Sequence, residues 1–206
     1  GQSASWHRGL LQLKSSDYPV DSVTWFEAIA FCNALSRKDS RESYYEISGG
    51  AVTVAGGTGY RLPTEAEWEL ACRAGASSSW FWSDDSDEGS SYAHCRPFAG
   101  GSSSRRVARL SENANGLFDM LGNVWEWCED CYEHDWYSRT SFVDPKNTNL
   151  GALRSIRGGA YHNQITDCRV SSRDGYAPGK KYRDTGFRVV RTCDRKNETW
   201  LPIVFQ

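Results

Sequence analysis

The sequence predicts one α+β domain in which long loops connect short helices and strands. Two segments have the pattern of capped amphipathic helices, another reads as a β-hairpin, and the composition includes nine Trp, ten Tyr and 19 Gly. Aromatic side chains bury large areas and glycines permit tight turns, so this composition favours a loop-rich core over a bundle of long helices. A chain of 206 residues suits one domain, and we assign residues 1–206 to it.

Residues 23–36 and 62–75 are predicted to form the two helices, because apolar side chains recur in them at three- and four-residue steps. Each begins with a capping box, in which a Thr at the N-cap is followed three residues later by Glu, as Thr24 with Glu27 and Thr64 with Glu67. Gly75 stands where a C-terminal stop belongs.

Strand signals surround a long irregular stretch. Alternating β-formers flank a Gly-Gly turn within residues 44–54 and predict a hairpin. Residues 77–115 carry little regular signal, which is uncommon in a compact domain unless the stretch is functional or packed by its own aromatics. Strand-like character returns at 116–127 and at 158–191. After the basic run 154–157, the Gly-Gly-aromatic pattern that opens residues 158–191 reads as the start of a strand.

Charge and cysteine content narrow the partners and the compartment. The 24 basic and 26 acidic residues nearly cancel, so we expect neither nucleic acid nor an anionic membrane as the partner. No stretch approaches eighteen apolar residues, so we expect no transmembrane segment. Seven unevenly spaced cysteines do not pair off completely, which favours a soluble cytoplasmic protein, with surface display if an anchor has been removed.

Five motifs follow one another along the chain: PVDSVTW at 19–25, GYRLPTEAEWE at 59–69, NGLFDMLGNVWEW at 115–127, RGGAY at 157–161 and GFR at 186–188. In order and spacing they resemble the formylglycine-generating enzyme (sulfatase-modifying factor) domain family, over residues 19–191. The resemblance implies a C-type-lectin-like fold with a small twisted antiparallel sheet, two helices and much irregular chain. Because enzymes and pure binding proteins share this fold, the site has to indicate the function.

The resemblance also implies a test for catalysis. In the family's enzymes, two cysteines five residues apart follow the Gly-Gly-aromatic turn and bind a copper ion that activates oxygen. Here the second position is Cys168, but the first is Asn163. A carboxamide cannot replace a thiolate on Cu(I), so Cys168 is expected to be a lone sulfur and neither copper nor oxidase activity is expected. The alternative is a copper-dependent oxidase that converts a substrate cysteine to formylglycine, or a related oxidative enzyme, using Cys168.

The family also contains ligand-binding proteins that diversity-generating retroelements diversify, in which fixed framework residues flank varied positions. The resemblance implies that residues 160–183, here called the recognition segment, are such a region. The candidate ligand-binding residues are Tyr161, His162, Asn163, Gln164, Ile165, Thr166, Asp167, Val170, Asp174, Tyr176, Lys181 and Tyr182. Their mixture of aromatic, aliphatic and hydrogen-bonding side chains is typical of an adaptable binding surface, and we expect a protein or other macromolecular ligand. The alternatives are an ordinary surface loop of a catalytically inactive relative and an accessory domain of a longer protein.

One metal site is implied as well. Asp119, Gly122, Val124 and Glu126 lie in a motif that resembles the family's structural calcium site, where the outer two residues give side-chain oxygens and the inner two give carbonyls. Ca2+ takes hard oxygen ligands in flexible geometry, so these groups suit it. The alternative is that Asp119 and Glu126 pair with arginines such as Arg188 or cap turns.

Overall fold

The computed structural model describes residues 17–100, 102–139, 143–149 and 151–191; Cys193 therefore lies outside the described residues. The described chain contains two α-helices and eight short strands, with irregular chain between them. This arrangement confirms the predicted α+β class. No helix in the described ranges has the length and apolar character needed to cross a membrane.

Both predicted helices are present. Helix α1 spans Trp25–Lys38 and helix α2 spans Glu65–Arg73, and each begins with the predicted capping box. In α2 the Thr64 hydroxyl accepts from the Glu67 N–H at 3.2 Å, and the Glu67 carboxylate accepts from the Thr64 N–H at 2.8 Å. The left-handed residue that ends α2 is Ala74, one position before the predicted glycine.

The predicted hairpin is also present. Strand β1, Tyr45–Ser48, pairs antiparallel with β2, Ala51–Val54, and they form a two-stranded sheet of their own. Gly49 and Gly50 both have positive φ, of 58° and 83°, as a tight hairpin turn requires.

A four-stranded sheet forms the centre of the fold. Its strands are β4 (Trp125–Cys131), β5 (Arg154–Arg157), β6 (Arg173–Tyr176) and β7 (Thr185–Gly186), in the order β6-β5-β4-β7. The β4–β7 pair is parallel and the other two pairs are antiparallel. A smaller sheet pairs β3 (Tyr60–Arg61) with β8 (Val190–Arg191).

The prediction that a strand starts at Gly158 is wrong. Strand β5 ends at Arg157, and Gly158 and Gly159 have φ values of 97° and 79°, which turn the chain out of the sheet. The basic run 154–157 is itself the strand. The last residue of this strand, Arg157, is fully buried because its guanidinium pairs with Glu65 and Glu69 of α2.

Two hydrophobic clusters form the core, and β4 contributes to both. The first cluster joins α1 to the central sheet, and its side chains include Trp25, Ile29, Leu62, Trp127 and Ile156. The other packs α2 and the irregular stretch 77–100 with side chains that include Trp68, Cys72, Cys95, Cys168 and Val170. Because Val170 and Cys168 belong to the second cluster, the recognition segment is anchored in the core.

Candidate functional site

The recognition segment leaves β5 through two glycines. A Cβ atom at Gly159 would overlap the Cys168 sulfur, and one at Gly158 would lie 3.1 Å from the Trp68 ring. Both residues also have positive φ, which L side chains rarely adopt. The path of the chain into the segment is therefore fixed by backbone conformation and by contact with the core.

Hydrogen bonds then tie the following turn to the rest of the protein. The Tyr161 N–H donates to the Asn123 carbonyl at 3.0 Å, and the Arg96 N–H donates to the Asn163 carbonyl at 2.8 Å. The Asn163 side-chain oxygen accepts from the Ala160 N–H at 2.9 Å. Asn163, a predicted ligand-binding residue, is half-buried and holds the turn.

A short 3-10 helix, Ile165–Asp167, forms the outer edge of the segment. This edge exposes the N-cap residue Gln164 together with Thr166 and Asp167, as a binding surface requires. Ile165 and Val170 do not belong to this surface, since they are 8% and 0% exposed and pack in the second core cluster. Their apolar surface is already buried, so these two side chains support the segment from below, and their predicted contact with a ligand stays a prediction.

The second half of the segment combines exposed charges with packed tyrosines. Asp174 and Lys181 are exposed, and the Lys181 ammonium lies 2.7 Å from the Glu27 carboxylate of α1. The rings of Tyr176 and Tyr182 pack together with their centroids 4.1 Å apart, and both contact the edge of Trp127. These two tyrosines are half-buried, so each presents only part of its ring to solvent.

Asp184 joins the two halves. Its carboxylate lies 3.7 Å from His162 Nε2 and accepts from the Tyr176 hydroxyl at 3.4 Å. Burial, together with this carboxylate, raises the pKa of Tyr176 above its ordinary value, so the phenol stays a hydrogen-bond donor. Sequence reasoning missed Asp184 because it follows the recognition segment by one residue and has no motif of its own. Only its spatial position, between the two halves, reveals it.

Cys168 lies beneath the exposed residues of the segment, and it is not a lone sulfur. Its thiol is hydrogen-bonded to the thiol of Cys95, and both side chains are fully buried. The hydrogen bond from Cys95 and the burial raise the pKa of the Cys168 thiol, which makes it a poor nucleophile. The sequence did not indicate this contact, because Cys95 lies in the irregular stretch, where no periodicity shows which residues meet.

Two of the four candidate calcium ligands, Asp119 and Glu126, contact an arginine. Both Glu126 carboxylate oxygens pair with Arg188, and one also accepts from Trp68 Nε1 at 2.6 Å. The Arg188 guanidinium lies 3.4 Å from the carbonyl oxygens of Phe118 and Asp119. Burial raises the pKa of Asp119, whose carboxylate accepts from the Ala108 N–H at 2.7 Å.

These contacts match the arginine pairing that the sequence left open. Ca2+ requires six to eight oxygen ligands, and here a guanidinium already neutralises Glu126. A neighbouring cavity of 280 Å3 is lined largely by apolar side chains such as Val20, Phe31 and Phe187. Across the described ranges, His, Cys, Asp and Glu side chains form no cluster of three that could hold a metal. The arrangement therefore does not fit Ca2+ unless Arg188 moves, and the calcium site stays a prediction.

Comparisons with known proteins bear on this site. The family model for the sulfatase-modifying factor enzyme 1-like domain matches residues 3–193. The formylglycine-generating enzyme of Streptomyces coelicolor is 34% identical over 192 residues, which cover 86% of this chain and 54% of that enzyme. The chaperone protein LppX of Paenibacillus barcinonensis is 31% identical over 211 residues, with coverages of 87% and 71%. The chain thus spans only about half the length of the first of these relatives.

A solved structure is similar as well. Variable protein 1 of Treponema denticola superimposes with a TM-score of 0.77 and 32% sequence identity. The match covers 87% of this chain and 73% of the other. The similarity therefore extends over most of both molecules.

Proposed function

Because the chain belongs to the sulfatase-modifying factor enzyme 1-like domain family and has its C-type-lectin-like fold, we propose that it is a non-catalytic ligand-binding protein. Its ligand surface is the recognition segment, and the protein is a target of a diversity-generating retroelement. Membership alone does not decide between functions, since the relatives include a formylglycine-generating enzyme, a chaperone and a variable protein. The residues of the site therefore have to distinguish these functions.

The observation that carries the proposal is the separation of a fixed backbone from exposed side chains. Backbone contacts at Gly158, Gly159 and Asn163 and the buried side chains of Ile165 and Val170 hold the segment in place. Six candidate residues among and after these anchors are exposed: His162, Gln164, Thr166, Asp167, Asp174 and Lys181. Their side chains can change without altering the core, which is the property that a diversified surface needs.

The chemistry of the surface suits a protein ligand. Tyr161, Tyr176 and Tyr182 are half-buried, so little conformational entropy is lost when a partner covers them, and aromatic residues of this kind dominate binding energy. The exposed charges of the segment are of both signs, which suits a polar protein interface: Asp167 and Asp174 are acidic, and Arg169, Lys180, Lys181 and Arg183 are basic. We expect replacement of Tyr161 by Ala to weaken binding by about 2 kcal/mol or more.

The DNA around the coding region tests the diversification proposal directly. We expect a reverse transcriptase gene and a near-copy of the stretch that encodes residues 160–190, with differences concentrated in the codons of the exposed positions. Differences spread evenly over anchor and exposed codons would contradict the proposal. So would the absence of both the gene and the near-copy, which would leave an ordinary non-catalytic relative.

A second candidate function rests on the contact between Cys95 and Cys168. Two thiolates are the ligand set that Cu(I) prefers, so a copper-dependent oxidase has its pair of sulfurs after all. The pair does not fit the expected site well, because both side chains are fully buried and Asn163 uses its amide to hold the turn. Cu(I) bound with one equivalent per chain, together with oxygen uptake on a cysteine peptide, would favour the oxidase over the binding protein.

A further inference from the structure

The irregular stretch and the recognition segment meet along a short interface. The Arg96 N–H donates to the Asn163 carbonyl at 2.8 Å, and Arg96 forms a β-bridge with Gln164. Nearby, Trp80 Nε1 donates to the Ile165 carbonyl at 3.2 Å. The Val170 N–H also donates to the Ser79 carbonyl at 3.0 Å, and side chains of both stretches pack in the second core cluster. The interface therefore joins stretches that are far apart in sequence.

At the centre of this interface the two thiols touch. Cys95 precedes the bridging residue Arg96, and Cys168 follows the 3-10 helix that carries the exposed positions. Both side chains are fully buried in the same core cluster, and the Cys168 sulfur packs directly against Gly159. By contrast, the sulfur of Cys128 in that cluster contacts the Glu126 carbonyl oxygen at 3.8 Å.

We propose that Cys95 and Cys168 form an intramolecular disulfide when the protein folds in an oxidising environment. The oxidant is a low-molecular-weight disulfide such as glutathione disulfide. The two protein thiols lose two protons and two electrons as their sulfur–sulfur bond forms, the bond in glutathione disulfide breaks, and two glutathione thiols are released. The two thiols are neighbours in the same core cluster, beside the bridge between Arg96 and Gln164, so the bond joins groups that the fold itself brings together.

The disulfide would covalently fasten the recognition segment to the rest of the protein. It would link two points separated by about a third of the chain, so the unfolded state loses considerable freedom. A fixed segment also suits recognition, because a surface that is already ordered loses less entropy on binding. The inference stands apart from the proposed function, since the bond can form whatever the segment binds.

Refolding provides the test, because it gives glutathione access to thiols that are buried in the native state. The full chain is unfolded and reduced, then refolded in a buffer of reduced and oxidised glutathione. Of the seven cysteines, we expect two to resist alkylation when the refolded protein is denatured without a reducing agent. Trypsin releases peptides 74–105 and 158–169, each with one cysteine, because the Arg96–Pro97 bond resists cleavage. We expect mass spectrometry to find these two peptides joined.

Further measurements separate this disulfide from other outcomes. We expect the oxidised protein to melt about 10 °C higher than the reduced protein, and Cys95→Ser to abolish both the joined peptide and the shift. Cys32→Ser, which removes a buried thiol of the other core cluster, should leave both unchanged. Three results would each overturn the proposal: refolded protein that keeps all its thiols, a disulfide mainly between two other cysteines, or a disulfide that lowers the melting temperature.

Discussion

At the scale of single residues, burial separates Val170 from Thr166. Val170 is fully buried, whereas Thr166 is exposed four positions earlier. We expect Val170→Asn to lower the free energy of unfolding by about 3 kcal/mol, because it puts an amide without hydrogen-bond partners into the core. Thr166→Asn should change it by less than about 0.5 kcal/mol. Urea denaturation of both variants checks this, and equal losses would contradict the assignment of the two roles.

The Glu126–Arg188 pair leads to a second prediction. Both side chains are buried, so Glu126→Gln leaves the Arg188 charge without its counter-charge. We expect a loss of about 3–5 kcal/mol in the free energy of unfolding. Asp135→Asn removes one partner of an exposed pair with Arg139 and should cost at most about 1 kcal/mol. Denaturant titrations compare the two variants. If Glu126→Gln costs as little as Asp135→Asn, Arg188 is not the main partner of Glu126.

The same residues allow a test of the calcium prediction. If Ca2+ binds here, it has to displace Arg188 from Glu126, and the bound ion then stabilises the folded state. The melting temperature should then rise with Ca2+ and fall on chelation in the parent protein but not in Asp119→Ala. An unchanged melting temperature at about 10 mM Ca2+, above the weakest usual affinities, would eliminate the calcium site and leave the ion pair.

Single positions also show where sequence reasoning stops. The sequence identified Asn163 as a replacement for a cysteine, but its role in the turn depends on the Ala160 N–H that it accepts from. Cys95 and Asp184 were missed because each meets the site only through folding. Within the segment, exposure could not be read residue by residue, because turns and 3-10 helices follow neither a period of 2 nor one of 3.6.

At the scale of elements, β4 supports the start of α2. The Asp130 carboxylate accepts from the Glu65 N–H and from the Asn147 N–H, both at 2.8 Å. Burial nevertheless dominates and raises the pKa of Asp130 to about 6. An unfolded chain loses this proton near pH 3.9, so the folded state holds more protons between about pH 4 and 6. Stability from this group is therefore highest at low pH and decreases as the pH rises through that window.

Asp130→Asn should remove this pH dependence. We expect the free energy of unfolding of the parent protein to fall, relative to the variant, by on the order of 2–3 kcal/mol between pH 4 and 6.5. The comparison uses the difference between the two proteins, so titration of other groups cancels. Asp174→Asn, at an exposed position, provides the control. A parent-minus-variant difference that stays flat or rises with pH would contradict the raised pKa.

The elements also differ in how well the sequence predicts them. Both helices and the hairpin were predictable because their signals are local, in capping boxes and a Gly-Gly turn. Strand β5 was not, because its Arg and Ser residues look exposed by type. Arg157 and Ser155 are buried because Glu65 and Glu69 of α2 pair with Arg157, and the Ser155 hydroxyl donates to Glu65 at 2.8 Å. A tertiary charge network of this kind has no local signature.

At the level of the whole molecule, the residues that form the core and the exposed candidate ligand-binding residues are different sets. The two core clusters lie on helices, on the central sheet and on the anchors of the recognition segment. The six exposed candidate residues of that segment make few contacts beyond their own surroundings, such as the Lys181–Glu27 pair and the cap between Gln164 and Asp167. A scaffold with this division tolerates new side chains at the surface without losing its fold.

A multiple substitution tests this division across the molecule. We expect simultaneous replacement of the six exposed candidate residues (His162, Gln164, Thr166, Asp167, Asp174 and Lys181) by Ala to cost about 2 kcal/mol, since exposed ion pairs and one cap each contribute little. Replacing only Ile165 and Val170 by Ala should cost about 4 kcal/mol, because it opens cavities in the core. Thermal melts should then show the two-residue variant below the six-residue variant by several degrees. The reverse order would mean that the exposed side chains hold the fold together, and the recognition segment could not then be a freely variable surface.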